Sequence, residues 1–474
     1  MHPNDSPPTG LIHHTPHRHP SQPTHSSTPC QQLLPVPNPV LSYWLTQPHK
    51  YADLRSTPHL PPACDVAIIG SGMAGVLTAY HILQSNPSCS VVLLDARSLC
   101  SGATGRNGGH AKVKTATLVG LKSEAERNAL QAYVFGTMRG LKEVVDREAG
   151  LAEECEFEMR RSFDVFQSAG ELDGVKSVYE DAVKKGEEWT KHVAFVGKEM
   201  VQNVTSIRDA VGGFSSPAVS LWPYKFVAGT LSRMADRHSL ERFNVQMNTP
   251  VLSVTHDNVL STPRGKVQAG KVVFATNAWT VGLLPSFAGS ITPLRGMASH
   301  HKSHKVVHPL LNNTYNIHFA DSHNQPTSTD YLNPRPDGGI VVGGGGSFFR
   351  HDKPSWWNNF DDSVHFGNHV EKYWDEYMPR TFLGWEDSNA VPDMVWTGIM
   401  GYTSDDKPHI GRVPGVESGK WMLAGFNGGG MSHIAIVAKA VARMVVNDLD
   451  FEDVKEEFGL LEGCGTSVQR LDKT

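Results

Sequence analysis

Three glycines near residue 70 have the spacing of a turn that binds phosphate. Residues 65–83 read DVAIIGSGMAGVLTAYHIL, and the glycines fit the pattern G-x-G-x-x-G. The first permits a tight turn, the second lets backbone approach a pyrophosphate, and the third lets a helix pack on the strand. The segment predicts a strand, a turn and a helix whose positive N-terminus faces the phosphates. The expected binding residues are Gly70, Ser71, Gly72, Met73, Ala74 and Gly75.

An acidic residue ends the next predicted strand and narrows the choice of dinucleotide. Residues 89–97, CSVVLLDAR, lead into Asp95, Ala96 and Arg97. A carboxylate here accepts hydrogen bonds from both ribose hydroxyls, and its charge disfavours a 2′-phosphate. The predicted ligand is therefore NAD or FAD. The alternative is a βαβ unit that packs without a nucleotide.

A second glycine-rich loop favours FAD over NAD. Residues 98–112, SLCSGATGRNGGHAK, follow Asp95 directly. Backbone at this place would lie against the ribityl and flavin half of FAD, and a nicotinamide enzyme has no use for such glycines. The loop residues expected to bind are Gly102, Ala103, Thr104, Gly105, Arg106, Asn107, Gly108 and Gly109.

With these motifs the sequence resembles the FAD-dependent D-amino-acid oxidase-like oxidoreductases. It is most similar to the branch with glycine oxidase, sarcosine oxidase and gamma-glutamylputrescine oxidase, and GATGRNGG is typical of the last subgroup. Matching segments continue to LAGFNGGGMSHIAIVAKAVARMVV at residues 423–446. The resemblance implies further FAD-binding residues: Val251, Ala275, Thr276, Asn277, Gly425, Phe426, Gly428, Gly429, Gly430 and Met431.

The sequence departs from the family pattern at three places. Asp95 stands where the family usually has Glu, and Gly429 replaces the histidine of a Gly-His-Gly motif. Sarcosine oxidases attach the flavin to a cysteine near the segment GIMGYT, but residues 398–415 contain no cysteine. That linkage is excluded here.

The resemblance implies an α/β fold made of two domains. A discontinuous Rossmann-like FAD-binding domain is expected from residues 63–150, 205–296 and 396–450. An inserted α+β substrate domain with an antiparallel sheet is expected from residues 151–204 and 297–395, and GGIVVGGGG at 338–346 is one of its strands. Residues 1–40, crowded with Pro, His, Ser and Thr, are predicted to be a disordered tail, and residues 451–474 a polar C-terminal tail.

Composition bounds the partners and the location. The formal net charge is -5, so no basic excess indicates nucleic acid or an acidic membrane surface. No apolar run approaches the ~20 residues that span a bilayer. The six scattered cysteines predict reduced thiols and no zinc site. We expect a cytosolic enzyme with a small-molecule substrate and no membrane partner; its oligomeric state stays open.

The resemblance implies chemistry at a C–N bond. Relatives in this branch move a hydride from the carbon beside an amine to flavin N5, and O2 commonly reoxidises the flavin. His110, directly after the glycine loop, is expected near the flavin ring. It could deprotonate the substrate, bind the flavin covalently, or act as a hydrogen-bonded spacer. Tyr402 could wall the pocket or simply pack, and Arg350 and Lys407 could bind a carboxylate or be solvated surface charges.

Two further features bear on the reaction. Sarcosine oxidases carry an oxygen-activating lysine where Val341 stands, and residues 338–350 contain no lysine, so an acceptor other than O2 stays open. Residues 300–308, HHKSHKVVH, have a metal-like composition, but a histidine-rich surface loop is the favoured interpretation and no metal site is predicted. The alternatives to an amine oxidase are a flavin dehydrogenase of another substrate class, such as a hydroxy acid, and a non-catalytic dinucleotide-binding protein.

Overall fold

The computed structural model describes residues 33–320, 328–415 and 419–472. Its strands, in chain order, are β1 Ala63–Ile69, β2 Val91–Leu94, β3 His110–Ala111, β4 Glu158–Phe166, β5 Ala194–Val196, β6 Gly212–Ser220, β7 Phe243–Gln246, β8 Ser253–Val254, β9 Val259–Thr262, β10 Gly265–Phe274, β11 Ile291–Lys302, β12 Thr314–Phe319, β13 Ser328–Pro334, β14 Ile340–Gly344, β15 Val391–Thr403, β16 His409–Arg412 and β17 Lys420–Ala424.

Helices connect and cover these strands. They are α1 Met73–Ser85, α2 Thr115–Val119, α3 Glu124–Arg147, α4 Leu151–Glu154, α5 Ala169–Lys185, α6 Lys198–Thr205, α7 Pro223–Arg237, α8 Thr280–Leu283, α9 Gly346–Phe349, α10 Lys353–Trp356, α11 Asn368–Glu371, α12 Tyr377–Thr381, α13 Ile434–Asn447, α14 Phe451–Phe458 and α15 Val468–Leu471. Short 3-10 turns include Tyr43–Leu45, Ala103–Arg106 and Asn277–Trp279.

The first sheet has the doubly wound form that the sequence predicts. Its strand order is β16-β17-β10-β1-β2-β7, and every pair from β17 to β7 is parallel. Strands β1 and β2 are apolar runs because parallel strands in such sheets are buried on both faces. Helices α1 and α13 pack together on one face through residues such as Leu77 and Val441, both almost fully buried. The predicted α/β fold is confirmed.

The second sheet supplies the wall opposite the glycine turn. Its order is β15-β11-β14-β13-β12-β4-β6-β3, with β5 added beside β6. The pairs are antiparallel, as expected, except for β4 and β12, which run parallel. The boundaries drawn from the sequence differ from the sheets at β3 and β6, and they cut across β11 and β15. Strand β6 falls in a segment expected in the FAD-binding domain, yet it pairs with β4 in the second sheet.

Both predicted tails are partly folded, so those predictions are corrected. Residues 1–32 lie outside the described part of the chain, but residues 33–40 pack on the body, where the Val40 amide donates to the Asp362 carbonyl at 2.8 Å. At the other end, α14 buries Phe451 and Val454. Their spacing of three residues puts both side chains on one helix face, which the polar composition of the segment obscures.

The histidine-rich segment also differs from expectation. His300 and His301 are buried within β11 and do not lie in a surface loop. His300 Nδ1 lies 2.6 Å from Asp393 Oδ1, and His301 Nε2 lies 2.9 Å from Ser299 Oγ. Within the described ranges, no three metal-binding side chains come together. No helix in these ranges has the length and apolar content needed to cross a membrane.

Candidate active site

The glycine turn connects β1 to α1 at a place with no room for side chains. Gly70 has φ +110°, and a Cβ there would lie 2.4 Å from the Ala275 carbonyl oxygen. A Cβ on Gly75 would lie 1.8 Å from the Gly70 carbonyl oxygen. Both distances are far below van der Waals contact. The third glycine is therefore needed for helix α1 to cross close over the end of β1, as the motif predicts.

Thr104 closes the second glycine loop onto the start of α1. The helix begins after Gly72, which offers no side-chain cap. The Thr104 hydroxyl accepts a hydrogen bond from the Met73 amide at 3.1 Å. The remaining free N–H groups of the first turn lend this end of the helix a partial positive charge, which suits an anionic ligand.

Asp95 lies at the end of β2, beside the glycine turn. Its Oδ2 accepts hydrogen bonds from the amide and hydroxyl of Ser71, each at 2.7 Å, and its Oδ1 accepts one from the Arg97 amide at 2.9 Å. A carboxylate has about four lone-pair sites. The geometry fixes the side chain and leaves capacity for a ribose hydroxyl.

Arg97, just before the second glycine loop, and Arg106, within it, share the buried carboxylate of Asp362, which belongs to the segment expected in the substrate domain. Arg97 Nη1 lies 2.9 and 3.1 Å from the two carboxylate oxygens of Asp362, and Arg106 Nε lies 3.5 Å from Oδ2. Arg106 also donates to the carbonyls of Ser101 and Val40. Burial lowers the pKa of Arg106 to about 10, while Asp362 opposes that shift. The two ion pairs with Asp362 join the loop to the substrate region, and the Arg106 bond to the Val40 carbonyl joins it to the N-terminal segment.

A cavity of about 740 Å³ joins these elements to the second sheet. Pockets of this size are typical of small-molecule sites. Its wall includes a residue from every predicted cofactor segment: Gly70, Gly72, Ala74, Asp95, Ala96, Arg97, Gly102, Ala103, Thr104, Arg106, Asn107, Gly108, Val251, Ala275, Thr276, Asn277, Phe426, Gly428, Gly429, Gly430 and Met431.

His110 lies where the glycine loop enters the second sheet. Its backbone pairs with Ser220 of β6, and its ring meets the Tyr331 ring edge-on, with centroids 5.3 Å apart. Both side chains line the cavity. Burial, and then the charges of Lys112 and Arg335, hold the pKa of His110 well below its ordinary value. The imidazole is therefore neutral at physiological pH.

Comparison with known proteins places the chain in a family. The family model described as FAD dependent oxidoreductase matches residues 65–444, which is most of the chain. The chain belongs to this family. The match begins just before the glycine turn and ends within α13, so it includes most of the cavity wall.

Individual relatives of this FAD-dependent oxidoreductase are distant. It is 23% identical to sarcosine oxidase subunit beta of Rhodobacter capsulatus, over 84% of this chain and 87% of that protein. It is 22% identical to gamma-glutamylputrescine oxidoreductase of Escherichia coli, over 86% and 89%. The crystal structure of glycine oxidase from Geobacillus kaustophilus matches its fold with a TM-score of 0.65 and 18% identity, over 85% of this chain and 99% of that one.

The cavity of the FAD-dependent oxidoreductase fits its cofactor. Four cavity-lining residues carry a buried polar atom without a hydrogen-bond partner: Arg106 Nη2, His110 Nδ1, Trp279 Nε1 and Arg295 Nε. Unpaired buried donors are costly, and a bound polar ligand satisfies them. The wall near Gly72 and Thr104 would hold the pyrophosphate, and Asp95 the adenine ribose.

The remaining predicted cofactor residues do not line the cavity themselves but adjoin residues that do, and their contact with FAD stays a prediction. Ser71 holds Asp95, the Met73 amide binds Thr104, and the Gly425 amide donates to Asn277 Oδ1 at 3.1 Å. These contacts fix the residues that do line the cavity. The full set is Ser71, Met73, Gly75, Gly105, Gly109 and Gly425.

Gly429 stands where the Gly-His-Gly motif has a histidine, and the ring of another histidine, His433, lies beside it. The imidazole of His433 packs against Gly429, with Nε2 3.2 Å from where a Cβ of that glycine would lie. His433 Nδ1 is 3.1 Å from the Tyr133 hydroxyl. Burial lowers the pKa of His433 to about 4, so this ring too is neutral. It supports the loop before α13 from behind.

The substrate candidates divide in two. Tyr402 and Arg350 line the cavity, as the sequence predicts. Lys407 does not: its side chain is exposed, and its ammonium donates to the Glu462 carbonyl at 3.1 Å. The prediction for Lys407 is corrected because the turn after β15 points it toward the C-terminal segment.

Sequence reasoning missed several cavity residues. Lys112 and Lys114 alternate with His110, and this period of two was the available signal that they share a side of the chain. Asn316 and Tyr331 reach the cavity from β12 and β13 through pairing between distant strands. Nothing local in the sequence marks these two residues.

Proposed function

We propose that this FAD-dependent oxidoreductase oxidises the C–N bond of a small amine or amino acid. One observation supports this above others: a single cavity is lined both by the dinucleotide turn and by His110 and Tyr331 of the second sheet. A substrate held against Tyr331 would therefore share an enclosed space with the cofactor. The relatives named above act on amines and amino acids by their names, which supports the same class.

Each part of the site has a task in this reaction. When bound, FAD accepts a hydride from the carbon beside the amine, and water hydrolyses the resulting imine. His110 is neutral, so its ring can accept a hydrogen bond or a proton from the substrate amine, which must lose its charge before oxidation. Its depressed pKa makes it a weak base, and we assign it orientation of the amine together with proton acceptance.

Aromatic and charged side chains complete the substrate position. Tyr331 and Tyr402 line the cavity, and burial raises the pKa of each phenol, so both stay neutral hydrogen-bonding groups. Arg350, at the end of α9, lines the same space and carries the charge needed to bind a carboxylate. We propose Arg350 as the first anchor for an amino-acid substrate.

The acceptor of the electrons is proposed to be O2. Val341, at the expected lysine position, is fully buried in β14. Lys112 nevertheless brings an ammonium group to the cavity from β3. Hydrogen peroxide formed in air, measured against turnover with an artificial dye, tests the proposal. Turnover with the dye and none in air would assign another acceptor.

The main experiment is anaerobic. Protein reconstituted with FAD is mixed under nitrogen with a panel of amines, amino acids and hydroxy acids. The absorption band of the oxidised flavin, at roughly 450 nm, is followed for bleaching. Bleaching by amines or amino acids supports the proposal. Bleaching by hydroxy acids alone, or by none of the panel, refutes it.

A further inference from the structure

Lys112 presents a cation to the cavity, and no group of the substrate has yet been assigned to it. Its ammonium donates to the Tyr315 carbonyl at 3.0 Å and lies 3.5 Å from the Thr314 hydroxyl. An ammonium group has three donors, so these two acceptors leave one for a ligand. Its backbone is held as well, because the Ser432 hydroxyl bonds both the amide and the carbonyl of Lys112.

The sheet beneath this ammonium is polar on its inner face. Asn316 of β12 and Thr329 of β13 line the cavity there. Asn316 Nδ2 donates to the buried Asp164 Oδ1 at 2.5 Å, which fixes the amide. A primary amide has two N–H donors, so the second can serve a ligand. Lys112 and Asn316 together offer donors, which suits an anionic acceptor.

The charge at this end of the cavity is also unbalanced. The lining residues from 110–117 and 316–350, within the described ranges, include the cations Lys112, Lys114 and Arg350. Two carboxylates oppose these three cations: Asp164 behind the wall, which accepts from Asn316 and the Thr115 amide, and Asp330 on the wall. The Asp330 carboxylate already accepts hydrogen bonds from Tyr373, Tyr377 and the Gly345 amide. The space beside Lys112 therefore favours an anion.

The two cationic positions are separate. Lys112 lies over β12, whereas Arg350 follows β14, and β13 runs between these strands. Neighbouring strands are spaced about 4.8 Å apart, so two intervals put about 10 Å between the strand positions. A short molecule with an acidic group at each end can contact both.

We propose that Lys112 and Asn316 form an anion subsite, distinct from Arg350, that binds a second acidic group of the substrate. This rests on the proposed function and narrows it. The substrate class becomes an amine with two carboxylates, such as an acidic amino acid or an N-carboxyalkyl amino acid. Diamines are excluded because their second cation would face Lys112 and Lys114, and simple alkylamines because they have no anionic group for this subsite.

The titration of Lys112 agrees with this assignment. Burial lowers its pKa to about 7, while the charge of Asp164 opposes that shift and Lys114 adds to it. A bound carboxylate beside the ammonium would favour the charged form and raise the pKa again. Binding of the anion and protonation of Lys112 therefore support one another.

Binding of simple acids to the FAD-loaded protein tests the subsite. The probes are glutarate, which has two carboxylates, butyrate, which has one, and butylamine. Their binding is measured by calorimetry and by the shift of the flavin spectrum. We expect wild type to bind glutarate about tenfold or more tightly than butyrate and to bind butylamine least. Lys112→Met should lose that tenfold preference, since one charge-assisted hydrogen bond is worth about this factor.

Two further variants keep the test sharp. Lys112→Arg retains the charge and should retain most of the preference for glutarate, which separates a binding role from a structural one. Lys305→Met, at an exposed lysine in the segment after β11, is the matched control and should bind glutarate as wild type does. Equal binding of glutarate and butyrate by wild type, or an unchanged preference in folded Lys112→Met, overturns the proposal.

Failure of the subsite and failure of the proposed function give different results. If amines bleach the flavin and Lys112→Met still prefers glutarate, the reaction class stands and the subsite falls. If no amine bleaches the flavin but Lys112 governs glutarate binding, the subsite stands and the assigned chemistry falls. Calorimetry on the protein without FAD gives a reading of glutarate binding that does not depend on the cofactor.

Discussion

Asp362→Asn is expected to be among the most destabilising single changes in the protein. The Asp362 side chain is fully buried, and the side chains of its partners Arg97 and Arg106 are 6% and 1% exposed. Asparagine keeps the shape of the side chain and removes its charge. Two buried guanidinium groups then lose their counter-charge, while the backbone bond from the Val40 amide to residue 362 can remain.

The magnitude follows from the burial of the pair. Removing one partner of a buried ion pair costs about 3–5 kcal/mol, because the other charge stays in a poorly solvated place. Here one carboxylate serves two cations, so we expect the upper part of that range. Burial already lowers the pKa of Arg106 with Asp362 present, which shows how little water reaches this guanidinium.

The neighbouring aspartate provides the control. Asp361 is half-buried and accepts hydrogen bonds from the Ser363 amide and hydroxyl within the same turn. Asp361→Asn should change the free energy of unfolding by about 0.5–1 kcal/mol at most. Urea unfolding of wild type and both variants, followed by tryptophan fluorescence, measures the difference. An Asp362→Asn protein as stable as Asp361→Asn would refute the argument that this carboxylate neutralises both arginines.

Further predictions concern the turn, the cofactor, the catalytic step and the C-terminus. Gly75→Val should abolish FAD binding in a flavin absorbance assay, whereas Gly174→Ala, at an open position on α5, should bind FAD normally and gain about 0.5–1 kcal/mol. Acid or heat should release FAD from the wild type, and a flavin mass retained on the denatured chain would instead indicate a linkage through His110. His110→Ala should slow flavin reduction ~10²-fold in anaerobic stopped-flow with FAD content unchanged; an unchanged rate would remove it from the site. The pKa of His110 is lowered, so the wild-type rate should rise with pH, as the imidazole loses its proton, at pH values below the ordinary histidine range. Removing residues 451–474 should lower the melting temperature, because Phe451 is buried against the core; an unchanged melting temperature would mean that α14 contributes nothing.

The sequence predicted the parts of the site that depend on local spacing. Gly70, Gly75 and Asp95 are placed by a turn and two strands, and their roles follow from chain geometry over some thirty residues. Asp362 could not be predicted, because it meets Arg97 from 265 positions away along the chain. Nor could Asn316, which faces the cavity only because of the order of strands in the second sheet.

Other misses had a signal that composition concealed. The C-terminal helix has Phe451, Val454 and Phe458 at helical spacing, but charged neighbours dominate the segment. His300 and His301 continue strand β11 into the interior, where one ring nitrogen of each has a partner, Asp393 Oδ1 and Ser299 Oγ respectively. In both segments the structure depends on which individual side chains are buried, and the average polarity of the segment predicts a wrong, exposed structure.

The N-terminal segment has a consequence for how the enzyme acquires its cofactor. Leu33, Leu34 and Pro35 line the cavity, and the adjoining Val40 binds to Asp362. These residues are synthesised first, but their partner emerges about 300 residues later, which takes roughly 15–60 s at ribosomal rates of about 5–20 residues per second. The contact that holds this segment against the cavity therefore cannot form until most of the chain has been synthesised. The docking of residues 33–40 is therefore a late step of folding, and the order of this step and cofactor entry becomes a variable in how much FAD the purified enzyme carries.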